Sequence, residues 1–541
     1  MSVTWLVVVG AILFWIAYRV YGTYLEKEIL KVNPDRPTPA HTMKDGVDYV
    51  PTKAAVLLGH HFASIAGAGP IVGPISAAVF GWVPVALWIV LGSIFVGGVH
   101  DFTSLLASVR HEGKTIGYII RQNVGKRGQT LFLLFSWLAL VLVVAVFTIL
   151  VMQTFVAVPA VATTSLLFIA LAVFFGTAVY RRGVALGPAT VVGVVLLFIC
   201  VYLGVLFPIT ASSTTWIYLI LVYIVLASVL PVWILLQPRD YLNSFLLYAT
   251  LIAGVLGLLI GRPAIELPAF TTFYTKAGGY LFPMLFITVA CGAISGFHSL
   301  VSSGTSSKQV DNERDTKLVG YGAMLIEGVV ALLALSTAAI LSSQGYADTL
   351  AKMGGPTGLY AAGIGKFLSY LGIPVAFGTT FGALALNAFC LTSLDTATRL
   401  GRYAFEEFFA DKVPALSNRW AGTLVTVFFA GLLALSGQWR AIWPMFGASN
   451  QLLAGLSLLA VSVWLLKLGS SNTPTVLPML FMFAATITGL VLLANSNLAA
   501  AKPNYVLGLT AIALLILAVF LIIEAGRVLL KPKGKEDKKA V

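Results

Sequence analysis

The sequence predicts an all-α, polytopic membrane protein, and three observations support this prediction. Of the 541 residues, 59% are hydrophobic and only 10% are charged, whereas soluble domains carry about 25% charged residues. The apolar runs extend over about 20 residues, which is the length that a helix needs to cross a bilayer. Within these runs apolar and polar residues do not alternate, as they would in the strands of a transmembrane barrel.

The lengths of the apolar runs predict about 15 transmembrane helices. In chain order, the predicted spans lie near residues 3–21, 54–79, 83–108, 130–156, 163–180, 187–206, 216–236, 242–260, 280–304, 318–342, 374–403, 420–436, 446–467, 475–494 and 505–529. Two shorter stretches, Thr115–Val124 and Leu359–Leu371, are expected to form helices at the membrane interface. The segment Trp443–Gln451 is expected to be a polar break, either a gate or an interfacial anchor.

Lysine and arginine are distributed unevenly between the two predicted sides of the membrane. With a cytoplasmic C-terminus, 28 of them lie inside and 6 outside, which together make the 34 of the chain. Such asymmetry sets orientation, so the N-terminus is expected outside the cell inner (plasma) membrane. The net charge of +13 resides in these short loops. It therefore indicates a lipid bilayer as partner and not nucleic acid.

The second predicted span contains a run that breaks an α-helix. Three glycines and two prolines lie between Gly67 and Pro74. Proline removes a helical hydrogen bond and glycine lowers helix propensity. At membrane depth the freed backbone groups are tolerated where they line a cavity or bind a solute, as in the discontinuous helices of secondary transporters. The alternative is a kink that serves packing alone.

The ninth predicted span, around Cys291–Thr305, is also rich in small residues and has a central histidine. On the predicted topology it runs opposite to the second span. Two broken helices of opposite direction favour inverted repeats, and the alternative is two unrelated packing helices. We expect residues 64–70 and 295–304 to be non-helical and to face each other near the bilayer midplane.

The predicted organisation has three regions. A first transmembrane helix and a cytoplasmic loop occupy residues 1–53, and C-terminal helices with a basic cytoplasmic tail occupy 475–541. Between them lies the core, residues 54–467, with repeats near 54–206 and 280–467 and an insert at 216–260.

Ionisable side chains within the membrane are costly, so each marks a candidate site. The predicted substrate-binding residues lie at the two breaks and are His60, His61, Ser64, Gly67, Gly69, His298, Ser302 and Ser303. The predicted ion-coupling residues are His100, Asp101, Glu327, Thr392, Ser393, Asp395 and Thr396.

Three of these groups have alternative interpretations. Glu327 is either a protonatable coupling carboxyl or is paired with one of the histidines. His100 and Asp101 form either a proton-relay pair or a hydrogen bond between helices. The hydroxyl groups around Asp395 are hard oxygen ligands that suit a small cation, unless Asp395 pairs with Arg399 one helical turn away. No cofactor, metal or catalytic constellation is indicated, and no nucleotide-binding G-x-x-x-x-G-K-[ST] motif is present. The chain is therefore not expected to be an enzyme.

Five strings spread over some 400 residues carry a resemblance to a known family. They are His60–Pro74, Val99–Phe102, Gly292–Thr305, Asp395–Arg402 and Trp443–Ala454. In them the sequence resembles the carbon starvation protein A (CstA) family. This resemblance implies an inner-membrane transporter with a fold related to the amino acid–polyamine–organocation superfamily, that is, LeuT-like. It also implies uptake of peptides, or of pyruvate in proton-coupled relatives, during carbon starvation.

The expected function is therefore secondary active import of a small carboxylate-bearing nutrient, pyruvate or a short peptide, coupled to protons. Hydroxyl groups near a broken helix leave sodium open as the coupling ion. The alternatives are a sodium-coupled transporter of peptides or amino acids and a membrane nutrient sensor.

The uneven basic charge yields a first prediction, which concerns topology. Single cysteines introduced at Ser2 and Val541 should react with a membrane-impermeant reagent from opposite sides of the membrane, Ser2 from outside. Labelling of intact cells, compared with labelling after permeabilisation, measures this. Reaction of both positions from one side would require an even number of spans.

Overall fold

The computed structural model describes residues 1–46, 48–231, 234–276, 278–410, 413–437, 439–500 and 503–529. Within these ranges the chain is helical apart from loops and one hairpin of two short antiparallel strands, β1 (Tyr274–Thr275) and β2 (Gly279–Tyr280). The α-helices are, in chain order, α1 (Thr4–Arg19), α2 (Tyr21–Tyr24), α3 (Pro39–Thr42), α4 (Ala54–Ile65), α5 (Gly69–Ala77), α6 (Trp82–Gly92), α7 (Gly98–Arg110), α8 (Ile116–Asn123), α9 (Lys126–Ala157), α10 (Pro159–Gly176), α11 (Leu186–Leu206), α12 (Ser213–Val229), α13 (Leu236–Gly261), α14 (Leu281–Val289), α15 (Gly296–Gly304), α16 (Ala323–Ala339), α17 (Ser343–Lys352), α18 (Pro356–Ser369), α19 (Val375–Phe409), α20 (Arg419–Leu435), α21 (Trp439–Lys467), α22 (Thr473–Leu498) and α23 (Tyr505–Leu529). Short 3-10 segments lie at Ala78–Phe80, Ala290–Gly292, Ser306–Lys308 and Pro414–Leu416, and π-helical segments at Leu25–Ile29, Ser93–Gly97, Thr177–Arg181 and Lys317–Gly322.

The described residues support 12 to 13 membrane spans. Twelve helical stretches are long and apolar enough to cross a bilayer, and α4 with α5 makes a thirteenth if this bent pair is one span. The predicted spans near 216–236 and 420–436 correspond to α12 and α20, which have only 17 residues each. At a rise of 1.5 Å per residue such a helix is about 26 Å long, slightly short of a bilayer core of about 30 Å. The larger number of 15 therefore stays a prediction.

The predicted break in the second span is present but shorter than expected. Helix α4 ends at Ile65 and α5 begins at Gly69, and the two are bent by 49°. We call Ala66–Ala68 the first interruption. The predicted non-helical range of 64–70 was too wide because Pro70 lies in the first turn of α5, where a proline costs no helical hydrogen bond.

The break predicted at 295–304 is displaced towards the N-terminus. Helix α14 ends at Val289, a 3-10 turn follows, and α15 begins at Gly296. We call residues 290–295 the second interruption; Ala290 has a positive φ of 45° there. Residues 296–304 are helical, so that part of the prediction was wrong. Their serines and glycines serve close helix contact instead: a Cβ on Gly296 would lie 2.3 Å from the Asn450 carbonyl oxygen.

Helix α5, which follows the first interruption, packs against the second interruption and against the end of α14. That the two interruptions face each other near the bilayer midplane stays a prediction. A Cβ built on Gly69 would lie 2.5 Å from the sulfur of Cys291, and one on Gly73 would lie 2.4 Å from the carbonyl oxygen of Val289. Real Cβ atoms do not approach other atoms so closely, so only glycine permits this contact. The glycines of the first span therefore bring its backbone against the second interruption.

Two further predictions of local structure were wrong. Helix α18, predicted as an interfacial helix at Leu359–Leu371, is buried inside the protein and packs closely against α16 and α19. Its glycines allow this packing, since a Cβ on Gly363 would lie 2.3 Å from Thr337. The predicted polar break at Trp443–Gln451 is part of the continuous helix α21. The polar side chains that suggested a break are buried there and bind neighbouring helices.

The N-terminus and the loop before α4 each contact a segment that was predicted to lie on the same side of the membrane as themselves. The N-terminus pairs with the loop after α13, where the amide of Val3 donates to the Pro263 carbonyl over 2.9 Å. At the other end of α1, the loop before α4 meets the segment after α15, where the Thr52 amide donates to the Gln309 carbonyl over 3.1 Å. Which of these two faces is cytoplasmic stays a prediction.

The close packing of α5 against the end of α14 yields a second prediction. Gly73→Ala should lower the melting temperature of the purified protein, because its Cβ meets backbone atoms that cannot turn away. Overpacking of this kind costs about 1–3 kcal/mol. Gly187→Ala is the matched control, since a Cβ there meets nothing within 4 Å. Its effect should stay within about 0.5 kcal/mol. Equal melting temperatures of the two variants in thermal unfolding would contradict the packing argument.

Candidate functional site

Four ionisable side chains from three helices meet beside the second interruption. His100 and Asp101 lie on α7, His298 is the third residue of α15, and Glu327 lies on α16. All four side chains are fully buried. We call them the histidine–carboxylate cluster. Sequence analysis had divided its members between substrate binding and ion coupling, but the fold places them together.

Asp101 is the centre of this cluster. Its Oδ1 lies 2.7 Å from Nδ1 of His100, and its Oδ2 lies 2.7 Å from Nδ1 of His298. Each carboxylate oxygen therefore has one imidazole partner. Asp101 thus hydrogen-bonds its neighbour in sequence and also a histidine on another helix. A role of the His100–Asp101 pair as a proton relay stays a prediction.

Glu327 completes the cluster at its other side. Its Oε2 lies 3.3 Å from Nε2 of His298, but the two atoms are not aligned for a hydrogen bond. Both carboxylate oxygens of Glu327 lack a hydrogen-bond partner within the described part of the chain. A buried charge without a partner is costly, so the cluster is stable only while protons are shared among its members. This arrangement is chemically suited to binding and releasing a proton.

The other predicted residues near the first interruption contact their own helix or neighbouring segments and not the histidine–carboxylate cluster. Ser64 donates to the carbonyl of His60 in its own helix over 2.9 Å, and His60 is only partly buried. The imidazole Nδ1 of His61 lies 2.7 Å from the hydroxyl of Ser306. Gly67 faces α19, where a Cβ would lie 2.6 Å from the hydroxyl oxygen of Ser393. Gly67 and Ser393 therefore link the first interruption to α19.

The serines of α15 differ in their surroundings. The Ser303 hydroxyl donates to the Ser299 carbonyl over 2.7 Å and accepts from the amide of Ile116 over 3.3 Å. It therefore fixes the start of α8. The hydroxyl of Ser302 is buried and has no hydrogen-bond partner among the described residues. Of the two, Ser302 is the one left available to a ligand.

A second buried group, which sequence analysis missed in part, lies between α12, α13 and α19. The guanidinium of Arg239 hydrogen-bonds Asp395 and Tyr223 through Nη1, and its Nη2 lies 2.9 Å from Oδ1 of Asp240. Thr392 donates to the same Asp240 oxygen over 2.9 Å. We call these five residues the arginine–carboxylate cluster.

This cluster excludes the pairing of Asp395 with Arg399, and it separates the predicted ion-coupling residues of α19 from one another. Asp395 pairs with Arg239 and not with Arg399, which donates instead to the Ala227 carbonyl over 2.7 Å. Thr392 and Asp395 belong to the cluster, Ser393 faces the first interruption, and Thr396 is only partly buried. The four predicted ion-coupling residues of α19 therefore do not form one set of ligands.

Arg239 and Asp240 were missed because they fall between two predicted spans. The apolar runs end near residue 236 and resume near 242, so the pair was assigned to a cytoplasmic loop. In the structure α13 begins at Leu236, and Arg239 is only 2% exposed. The sequence does contain a signal for the burial of Arg239: it is followed directly by a residue of opposite charge, and the pair lies between two apolar runs.

The surroundings of both interruptions are closed to solvent. Residues 61–75 and 289–303 are buried without exception. A groove of about 650 Å³, lined by residues that include Tyr24, Phe95 and Leu477, lies on the outer surface away from both clusters. The polar groups around the interruptions are therefore closed off from solvent, and the structure represents an occluded state.

Comparison with known proteins agrees with this architecture. Residues 2–355 and 344–489 match the carbon starvation protein CstA family. The peptide transporter CstA of Campylobacter jejuni is 34% identical over 90% of this chain and 80% of the relative. The pyruvate/proton symporter BtsT of Escherichia coli is 32% identical over 90% and 81%, and the peptide transporter CstA of Bacillus subtilis is 32% identical over 97% and 96%.

The fold is shared with a solved membrane transporter. The manganese transporter of Eremococcus coleocola superimposes with a TM-score of 0.53 over 90% of this chain and 99% of that one, at 15% sequence identity. This likeness concerns the fold alone, which is of the LeuT type. The family match over most of the chain, with relatives at 32–34% identity, shows that this multi-pass membrane protein belongs to the carbon starvation protein CstA family and is a transporter, not an enzyme.

Proposed function

We propose that the protein imports a small carboxylate-bearing nutrient, pyruvate or a short peptide, by secondary active transport coupled to protons. The observation that carries this proposal is the fully buried histidine–carboxylate cluster beside the second interruption. The names of the relatives, a pyruvate/proton symporter and several peptide transporters, support the same substrates and coupling ion.

The cluster can link a proton to an anionic substrate through charge. Two carboxylates and two imidazoles share a space from which water is excluded. Each added proton makes the cluster more positive, and this favours an anion nearby. By reciprocity, a bound anion raises the affinity of the cluster for the proton. Proton and substrate would therefore bind together and be released together.

The helix ends at the interruptions provide positive potential near the anion but few free N–H groups. The first N–H groups of a helix have no intrahelical acceptor, and the helix dipole makes this end positive. At the start of α15 the side chain of Asn450 satisfies the amide of Phe297 over 2.9 Å. At the start of α5, Pro70 contributes no N–H, and the first turn faces the second interruption across Gly69. The helix ends therefore contribute positive potential, and direct hydrogen bonds to the carboxylate are left to another donor.

Sodium coupling is the second candidate, and one observation favours it. Ser393 Oγ and Asp395 Oδ1 are buried and have no hydrogen-bond partner among the described residues. Oxygen atoms of this kind ligate sodium. Against this stands Arg239, whose guanidinium hydrogen-bonds the other oxygen of Asp395 and would repel a cation there. We therefore favour protons.

The buried cluster yields a third prediction. Glu327→Gln should lower pH-driven uptake of labelled pyruvate or dialanine into proteoliposomes by at least about tenfold, because the coupling between proton and substrate is lost. Exchange of labelled for unlabelled substrate without a gradient should persist. Glu524→Gln is the matched control, since Glu524 pairs with Arg527 near the end of α23 at 3.4 Å. Full pH-driven uptake by the Glu327→Gln protein would exclude this carboxylate from coupling.

The choice of ion yields a fourth prediction. An imposed pH gradient, acidic outside, should drive uptake into proteoliposomes in sodium-free buffer, whereas a sodium gradient at equal pH should not. The reason is that titratable groups lie beside the second interruption, while Arg239 occupies the candidate cation site. Uptake driven by sodium alone would instead assign coupling to Asp395, Thr392 and Ser393.

A further inference from the structure

Arg239 is unusual among the cationic side chains of the protein. Within the described residues, the buried lysine and arginine side chains are Arg239 and Arg402. Arg402 lies seven residues beyond Asp395 on α19, about 10 Å farther along the helix. It donates to the Ser228 carbonyl, away from the interruptions. Arg239 is therefore the buried permanent cation closest to the first interruption.

A short chain of contacts connects Arg239 to that interruption. Its Nη2 lies 3.5 Å from the hydroxyl oxygen of Thr392. The next residue on α19, Ser393, faces Gly67. The Ser393 hydroxyl has no hydrogen-bond partner in the described ranges, and neither does Nε of Arg239. Within the part of the chain described, the Ser393 hydroxyl thus lies unpaired against the first interruption, and the guanidinium of Arg239 has an unused donor.

We propose that Arg239, which α13 supplies from the insert, binds the carboxylate of the transported substrate, and that Asp395 occupies its place in the occluded state. This inference rests on the proposed function and names the residue that recognises the anion. A guanidinium binds a carboxylate through two parallel hydrogen bonds, with planar geometry that a lysine cannot reproduce. Asp395 is such a carboxylate, held by Nη1.

The composition of the arginine–carboxylate cluster favours exchange over a purely structural role. One guanidinium faces two carboxylates, those of Asp240 and Asp395. Asp240 receives a further hydrogen bond from Thr392, and Oδ2 of Asp395 receives one from the Tyr223 hydroxyl over 2.7 Å, whereas Oδ1 of Asp395 has no partner in the part of the chain described. Within the described residues Asp395 is therefore held through one of its two oxygens. A substrate carboxylate can replace it while Asp240 continues to orient the guanidinium.

The test measures binding of labelled pyruvate and of labelled dialanine to the purified full-length protein. Sodium pyruvate should displace labelled pyruvate from the wild type, and its neutral methyl ester should not. Arg239→Lys should weaken binding of the labelled probe by about tenfold or more, because the two-point hydrogen bond to the carboxylate is lost. Arg402→Lys, which alters the other buried arginine, should bind like the wild type.

A second variant separates recognition from folding. Asp395→Asn removes the carboxylate that competes for the guanidinium, so it should tighten binding by about tenfold, since a larger fraction of the protein is competent to bind. A residue needed only to pair with Arg239 would show the opposite, a lower melting temperature without tighter binding. The melting temperature of each variant is measured alongside binding.

The outcomes distinguish this inference from the proposed function. Wild-type protein that binds neither probe, or that binds methyl pyruvate equally well, would overturn both. Wild-type binding with the expected charge selectivity, together with an unchanged affinity in Arg239→Lys or no tightening in Asp395→Asn, would overturn the role of Arg239 alone. Weaker binding in Arg239→Lys and tighter binding in Asp395→Asn would support it.

Discussion

The need to satisfy backbone polar groups where helices are interrupted shapes the centre of this protein. Within a membrane, water cannot bind these groups, so other helices must do so. Asn450 of α21 accepts from the Phe297 amide over 2.9 Å, and Ser93 donates to the Gly292 carbonyl over 3.2 Å. Gln451 donates to the carbonyl of Phe286. The second interruption therefore persists because side chains from two other helices replace its missing helical hydrogen bonds.

The same contacts determine where charge is buried. Gly69 and Gly73 bring the first span against the second interruption, and this places α7 and α16 around the start of α15. The histidine–carboxylate cluster forms there from three helices that are distant in sequence. On the other side, α13 and α19 meet through Arg239 and Asp395. The pair of interruptions thus lies between two groups of buried ionisable residues.

The sequence predicted what depends on local composition and not what depends on pairing. Run length located the long helices, and the prolines and glycines of Gly67–Pro74 placed the first interruption to within a few residues. The second was misplaced because serine and glycine also permit close helix packing, which is their role at Gly296. Glu327 was recognised as costly, but its proximity to His298 depends on tertiary structure. Arg239 was missed because burial of a charge pair depends on its partner, Asp395.

The closed structure indicates where motion between states can arise. The glycine contacts between the first span and the second interruption bring backbone close to backbone. Because such close packing resists sliding, we expect these two segments to move together as a unit. The first interruption separates α4 from α5 at a bend of 49°, which makes it the natural hinge. It contacts α19 through Ser393, one residue after Thr392 of the arginine–carboxylate cluster. Movement at this hinge would therefore alter the surroundings of Asp395, and the Arg239–Asp395 ion pair would respond to opening of the site.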